Sequence, residues 1–296
     1  MNQSNAGIAA LDPGLLFDGA MGTMLIQAGL GGGRASESWI LEKPEEVTKV
    51  HQAYAAAGAK VMTTCTFGGN RLKLEAAGFG QNVAEVNHQA AALARDAAGT
   101  NGFVAGNIGP TGQLLEPSGS LSQAEARNVY AEQARLLEHS GVDFFLLQTF
   151  YDLQEMLAAI QGVRSLSSLP IFSSLNFQET KRGFATIMGN SPQEGMTAML
   201  EAGANVVGAN CTLDSGQMLK LAPMLRDCVQ SPLLIQPNAG SPEMVDGVPE
   251  YAESPDTFAA NMTRIRSLGV QAVGGCCGTT PEHIRRLGEK LKKLEK

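Results

Sequence analysis

Eight short apolar runs recur along this chain, and they constrain its fold more than any other feature. They span 15–21, 59–67, 103–110, 142–150, 170–177, 205–212, 233–239 and 272–277. None alternates strictly between apolar and polar residues, as a strand with one wet face would, so they read as strands buried on both faces of a parallel sheet. Between them lie segments with helical period. Val83, Val86, Ala90, Leu93 and Ala97 form one stripe, Phe258, Met262, Ile265 and Leu268 another, and Ile284, Leu287, Leu291 and Leu294 the last. Pro44, Pro192, Pro255 and Pro281 stand where a first helical residue is expected. Ser122 with Glu125, and Ser191 with Glu194, have capping-box spacing. Gly58, Gly141, Gly203 and Gly269 sit where a helix should end before the next run. Eight strand–helix units in 296 residues predict an α/β fold, a single-domain (β/α)8 TIM barrel over residues 13–296, behind a flexible N-terminal tail at 1–12.

Composition narrows the function. A formal net charge of −7 argues against a nucleic-acid surface, and no polybasic stretch points to a membrane. No run reaches the ~18 apolar residues of a membrane helix. The first residues have neither the basic start nor the apolar centre of a secretion signal. Five cysteines, unevenly placed, do not make a disulfide framework, so a reducing, cytoplasmic setting is expected. Gly31-Gly32-Gly33 lacks a strand–turn–helix context and reads as a loop, not a phosphate cradle.

In barrels of this kind the chemistry sits at the C-terminal ends of the strands. Cys211 closes the sixth run, and Cys276 and Cys277 close the eighth, so all three face one mouth. Neighbouring side chains on a strand point to opposite faces. The backbone must therefore bend for Cys276 and Cys277 to share a ligand, and Gly274, Gly275 and Gly278 allow it. Three thiolates suit a soft divalent metal, above all zinc, and three ligands with an open position describe a catalytic site.

With those cysteines in place, the chain resembles the zinc-dependent homocysteine S-methyltransferase family over nearly its full length. The resemblance runs from Phe17-Asp18-Gly19-Ala20-Met21-Gly22-Thr23 to Gly275-Cys276-Cys277-Gly278-Thr279-Thr280-Pro281. It includes Asn107-Ile108-Gly109-Pro110-Thr111-Gly112, Gly208-Ala209-Asn210-Cys211 and Gln236-Pro237-Asn238-Ala239-Gly240. Gly-Pro-Thr-Gly followed by Leu114-Leu115-Glu116-Pro117 is most similar to the homocysteine-binding module of cobalamin-dependent methionine synthase. The resemblance implies Zn2+ on Cys211, Cys276 and Cys277, and substrate recognition by Asp18, Gly19 and the end of the fourth strand. It implies a thiol, homocysteine first, activated as a zinc thiolate that attacks a methyl group. Asn238, between the two cysteine-bearing strands, is a candidate displaceable fourth ligand.

Two positions depart from the family pattern. Gln148-Thr149 stands where Glu-Thr is usual, which removes a carboxylate that would meet the substrate ammonium. Thr64-Cys65-Thr66-Phe67 stands for Thr-Asn-Thr-Phe and adds a thiol. A different thiol, or a sulfonium or ammonium methyl donor, is therefore the alternative. A zinc hydrolase and a non-catalytic zinc module are disfavoured by the electron-rich ligand set and the open position. No histidine here has the Asp-x-His-x-x-Gly context of a corrinoid-binding module, so methylcobalamin is expected only through a transient partner protein or domain. His51, His88, His139 and His283 are expected on outer helices as surface or interface residues. Cys228 is expected to pack with Leu221, Met224 and Leu225.

Overall fold

The computed structural model describes residues 14–245 and 248–294; the tail expected at 1–12 lies outside the described residues. Among the described residues, twelve strands occur in chain order: β1 (Leu15–Leu16), β2 (Val61–Thr63), β3 (Phe103–Ile108), β4 (Phe144–Phe150), β5 (Ile171–Leu175), β6 (Gln178–Thr180), β7 (Gly183–Ala185), β8 (Val206–Asp214), β9 (Leu233–Asn238), β10 (Pro242–Val245), β11 (Val248–Tyr251) and β12 (Ala272–Val273). Eight of them form one parallel sheet in the order β1-β12-β9-β8-β5-β4-β3-β2. A parallel bridge from Phe17 to Val61, with Asp18 N–H donating to Val61 O at 3.1 Å, brings β1 against β2 and closes the barrel. Seven of the expected runs contain one of these eight strands whole; β8 begins inside the sixth run and continues two residues past its end, to Asp214. The other four pair as two antiparallel hairpins, β6–β7 after β5 and β10–β11 after β9.

The double burial read from the runs has a direct structural counterpart. Leu15, Phe17, Val61, Ala105, Phe144, Leu146, Phe172, Val206, Leu234 and Ala272 point inward and fill the barrel. Phe144 and Phe172 stack there with ring centroids 4.4 Å apart, and Phe17 meets Phe144 edge-on at 6.0 Å. The alternate residues, such as Phe145, Leu147, Val207 and Ile235, point outward into a second layer packed under the helices.

The helices begin where the sequence signals place them. Pro44, Pro192, Pro255 and Pro281 each open a helix, and both capping boxes form. The histidines correct one expectation. His88 and His139 are exposed, but His51 and His283 are buried. His51 lies on the helix Pro44–Ala56, where Val47, Val50, His51 and Tyr54 share the buried face. Cys228 is partly buried against the core, as expected, although its neighbour Met224 is 40% exposed. No helix among the described residues is long and apolar enough to cross a membrane.

Candidate metal and substrate site

β12 ends at Val273, short of the cysteines, so Cys276 and Cys277 lie in the loop that follows. That loop supplies the bend which a shared ligand demands. Cys276 N–H donates to Pro237 O at 2.7 Å, and Cys276 O accepts from Thr279 N at 3.1 Å and Thr279 Oγ1 at 2.7 Å. Gly275 lets Thr279 fold back, since a Cβ there would lie 2.3 Å from Thr279 Oγ1. Gly278 has φ of +76°, and its missing side chain makes room for the Tyr251 ring.

Cys211 arrives from β8 through a different distortion. Cys211 and Thr212 have φ of 59° and 61°, and the pairing of β8 with β9 slips between Asn210 and Asp214. Thr149 has φ of 65° at a similar slip between β4 and β5. Asn210 braces both places. Its Oδ1 accepts from Thr149 N at 2.8 Å and Ser174 Oγ at 2.7 Å, and its Nδ2 donates to Thr149 Oγ1 at 2.7 Å.

The result is one sulfur cluster. Cys211, Cys276 and Cys277 are free thiols whose Sγ atoms all lie within 4.8 Å of one another, and Cys211 and Cys277 are 3.9 Å apart. Tetrahedral zinc with bonds of ~2.3 Å would hold its sulfurs roughly 3.8 Å apart, so the donor set fits with little movement. Hydrogen bonds from Cys211 and Cys276, joined by one from Tyr251, push the Cys277 thiol down to about 3 despite its burial. Cys276 is pushed well up, first by its bonds to Cys211 and Cys277 and then by burial. A metal bound there would deprotonate the thiols that coordinate it. Asn238 is buried beside it, with Pro237 O and Ala239 N bonded to the backbone of Cys276 and Cys277. Its Oδ1 takes no hydrogen bond, which fits an oxygen kept for another partner.

The sulfurs stand in the wall of a cavity of about 770 Å3. Asp18, Gly19 and Gln148 line the same cavity. Asp18 is buried, with Oδ2 accepting from Thr63 N at 2.7 Å and Oδ1 from Thr63 Oγ1 at 2.6 Å. Burial dominates those bonds and lifts its pKa to about 7. Gln148 Nε2 donates to Asn107 Oδ1 at 2.9 Å. Cys65 also lines the cavity, but burial holds its thiol protonated and it stands outside the sulfur cluster.

The sequence reading missed several wall residues. Glu37 is a buried carboxylate that accepts from Gly68 N at 2.5 Å, so Asp18 is not the lone carboxylate of the site. Gln236 lines the cavity with its buried Oε1 unbonded. Tyr251, on the β10–β11 hairpin, reaches Cys277. Gln236 stood in a motif that carries the resemblance without being assigned a role; Glu37 and Tyr251 have no sequence signal, because each gains its contact from a segment distant in the chain. Thr111 of the Gly-Pro-Thr-Gly motif is explained by Glu155, whose Oε1 accepts from Thr111 N at 2.8 Å, Thr111 Oγ1 at 2.6 Å and Tyr130 OH at 2.8 Å.

Comparison with known proteins agrees with this geometry. A family model described as homocysteine S-methyltransferase matches residues 15–291. The chain is 29% identical over 300 residues to methionine synthase of Mycobacterium tuberculosis (strain ATCC 25618 / H37Rv), covering 95% of this chain and 25% of that protein. It is 29% identical over 299 residues to methionine synthase of Mycobacterium leprae (strain TN), covering 94% of this chain and 24% of that protein. The chain therefore spans about a quarter of the length of these curated relatives. Among solved structures, it is similar to the metallated form of the homocysteine methyltransferase MmuM from Escherichia coli, with a TM-score of 0.80 and 20% identity over 97% of this chain and 99% of that one. At that identity the structural likeness speaks for the fold.

Proposed function

The chain belongs to the homocysteine S-methyltransferase family, and on that premise we propose that it transfers a methyl group to the sulfur of homocysteine at a zinc ion held by Cys211, Cys276 and Cys277. The observation that carries the reading is the gathering of three free sulfurs, one from β8 and two from the loop after β12, in the wall of one large cavity. Zinc bound there would keep the substrate sulfur deprotonated at neutral pH.

The chain's own residues do the rest. Asp18, fixed by Thr63, orients the amino end of the substrate, and Gly19 offers a backbone N–H to its carboxylate. Gln148 faces the same space as a neutral hydrogen-bonding group. Asn238, buried with its Oδ1 unbonded, would offer the ion a further oxygen donor that a thiol could replace. Tyr251 hydrogen-bonds Cys277 and so helps to hold that sulfur in place.

We propose further that the methyl group comes from a corrinoid carried by another protein or domain. The quarter-length match to two methionine synthases supports this, as does the motif Gly109-Pro110-Thr111-Gly112 with Leu114-Leu115-Glu116-Pro117. A cavity of about 770 Å3 also exceeds what one small amino acid fills, leaving room for the donor's reactive end to approach within ~3–3.5 Å of the thiol.

The test joins metal content to turnover. We expect about one zinc per chain and methyl transfer from methylcobalamin, faster when the corrinoid is protein-bound. Cys277→Ala should abolish transfer while leaving the circular dichroism spectrum intact, because the site lies at the mouth and outside the packed layers. Full activity in a metal-free preparation of Cys277→Ala would end this reading.

A further inference from the structure

We infer that Glu37 is a specificity-determining residue of this cavity and reads the substrate's α-ammonium group, a task that the uncharged Gln148 leaves open. The inference rests on the thiol-methylation reading above and deepens it.

The position of Glu37 is unusual for a carboxylate. It is only 5% exposed, yet it lines the cavity. Its partner Gly68 follows the end of β2, and in the barrel β2 adjoins β1, which adjoins β12 and the Cys276–Cys277 loop. Oε1 takes the Gly68 N–H, and among the described residues Oε2 takes no hydrogen bond. A Cβ at position 68 would lie 3.2 Å from both carboxylate oxygens, so the carboxylate is seated firmly against the backbone.

No cation of the chain pairs with it among the described residues. Arg34 is held by Glu42 at 2.6 Å, and Lys73 Nζ sits over the Phe67 ring, 4.9 Å from its centroid. Burial pushes the Glu37 pKa up; the Gly68 N–H and the more distant charge of Lys73 offset only part of that rise. Asp18, the other carboxylate of the cavity, already receives two bonds from Thr63. A buried carboxylate is costly unless a cation meets it. A ligand ammonium brings that charge together with three donors, and Oε2 is the free acceptor.

A purely structural role for Glu37 would be to anchor Gly68. Glutamine can do that equally well through its own carbonyl oxygen, so Glu37→Gln separates the two roles. Titration calorimetry on the zinc-loaded protein should compare homocysteine with 4-mercaptobutanoate, the same chain without the amino group. Glu37→Gln should weaken homocysteine by about tenfold or more and leave 4-mercaptobutanoate within about twofold. Equal losses for both thiols, or no loss for either, would overturn the assignment while leaving thiol methylation standing. If neither thiol binds the wild-type protein, the thiol reading and the role of Glu37 fall together.

Discussion

Gln148→Glu restores a carboxylate at the end of β4, and the structure says what it must overcome. Gln148 now donates from Nε2 to Asn107 Oδ1 at 2.9 Å and accepts at 3.4 Å from Asn210 Nδ2. Glutamate would set one acceptor against another at Asn107. The backbone of Asn107 is anchored independently, with its N–H on Thr64 Oγ1 and its O accepting from Thr66 Oγ1. Its side-chain amide can therefore turn over and donate Nδ2 to the new carboxylate, so the clash is relieved locally. What remains is a hydrogen bond between charged partners, carboxylate and ammonium, worth about 1.5–3 kcal/mol. Homocysteine should then bind roughly 10- to 100-fold more tightly, and 4-mercaptobutanoate should gain nothing. Calorimetry on the zinc-loaded protein reads both. In the Glu37→Gln background the gain should be larger, because two groups that serve one ammonium are coupled. An unchanged ratio of the two thiols in both backgrounds would show that position 148 does not face the amino group, and the argument from its missing charge would fail.

Two further outcomes follow from buried groups. His51 is wholly buried with neither ring nitrogen bonded, and burial lowers its pKa from 6.5 to about 4. The folded protein therefore resists a proton that the unfolded chain accepts, and stability drains away as pH falls from about 6.5 toward about 4. His51→Leu should remove that loss, so its urea-unfolding advantage over wild type should grow by about 2–3 kcal/mol between pH 7 and pH 4.5; a constant difference contradicts a neutral buried ring. Gly278→Ala puts a side chain on a residue with φ of +76° and 2.1 Å from Tyr251 Cγ. It should cost about 1–2 kcal/mol in backbone strain alone and displace the hairpin, so Cys277 in the metal-free protein should react faster with a thiol reagent. Unchanged melting and unchanged reactivity would show that the hairpin does not depend on this glycine.

The barrel was legible because each strand had to be apolar on both faces, which leaves a run rather than an alternation. The ends of the runs were less legible. The eighth run reads as continuous through Cys277, but Ala272 and Val273 alone pair, because the glycines that follow carry the turn. The hairpins β6–β7 and β10–β11 escaped notice since most of their residues are exposed and leave no apolar signature. For His51 the signal was present and misread. Val47, Val50, His51 and Tyr54 have the spacing of a buried stripe, and a histidine within it is buried by its neighbours. Glu37 and Tyr251 offered no such signal. Glu37 meets a glycine 31 residues away, and Tyr251 meets a cysteine across the mouth, so only the folded chain defines either contact.

The backbone itself points to the same place as the side chains. Among the described residues, the non-glycine residues with positive φ are Thr149, Cys211 and Thr212. Thr212 is β-branched, the kind of side chain that tolerates this region least. Such conformations cost about 1–3 kcal/mol each and persist where surrounding bonds over-determine them. Here Asn210 supplies those bonds to Thr149 while standing next to Cys211, and its Nδ2 lies 3.8 Å from Cys276 Sγ. The strain follows from what the site asks of two strands. Regular pleating would continue β4 and β8 past the cavity, whereas the slips turn Thr149 and Cys211 into its wall. The charges in that wall make the same demand. Three sulfurs favour a metal, and two buried carboxylates, Asp18 and Glu37, favour a cationic ligand. Among the described residues neither carboxylate has a salt bridge, so a cationic ligand in a cavity that already strains two strands to bring sulfur into its wall would relieve the cost of burying them.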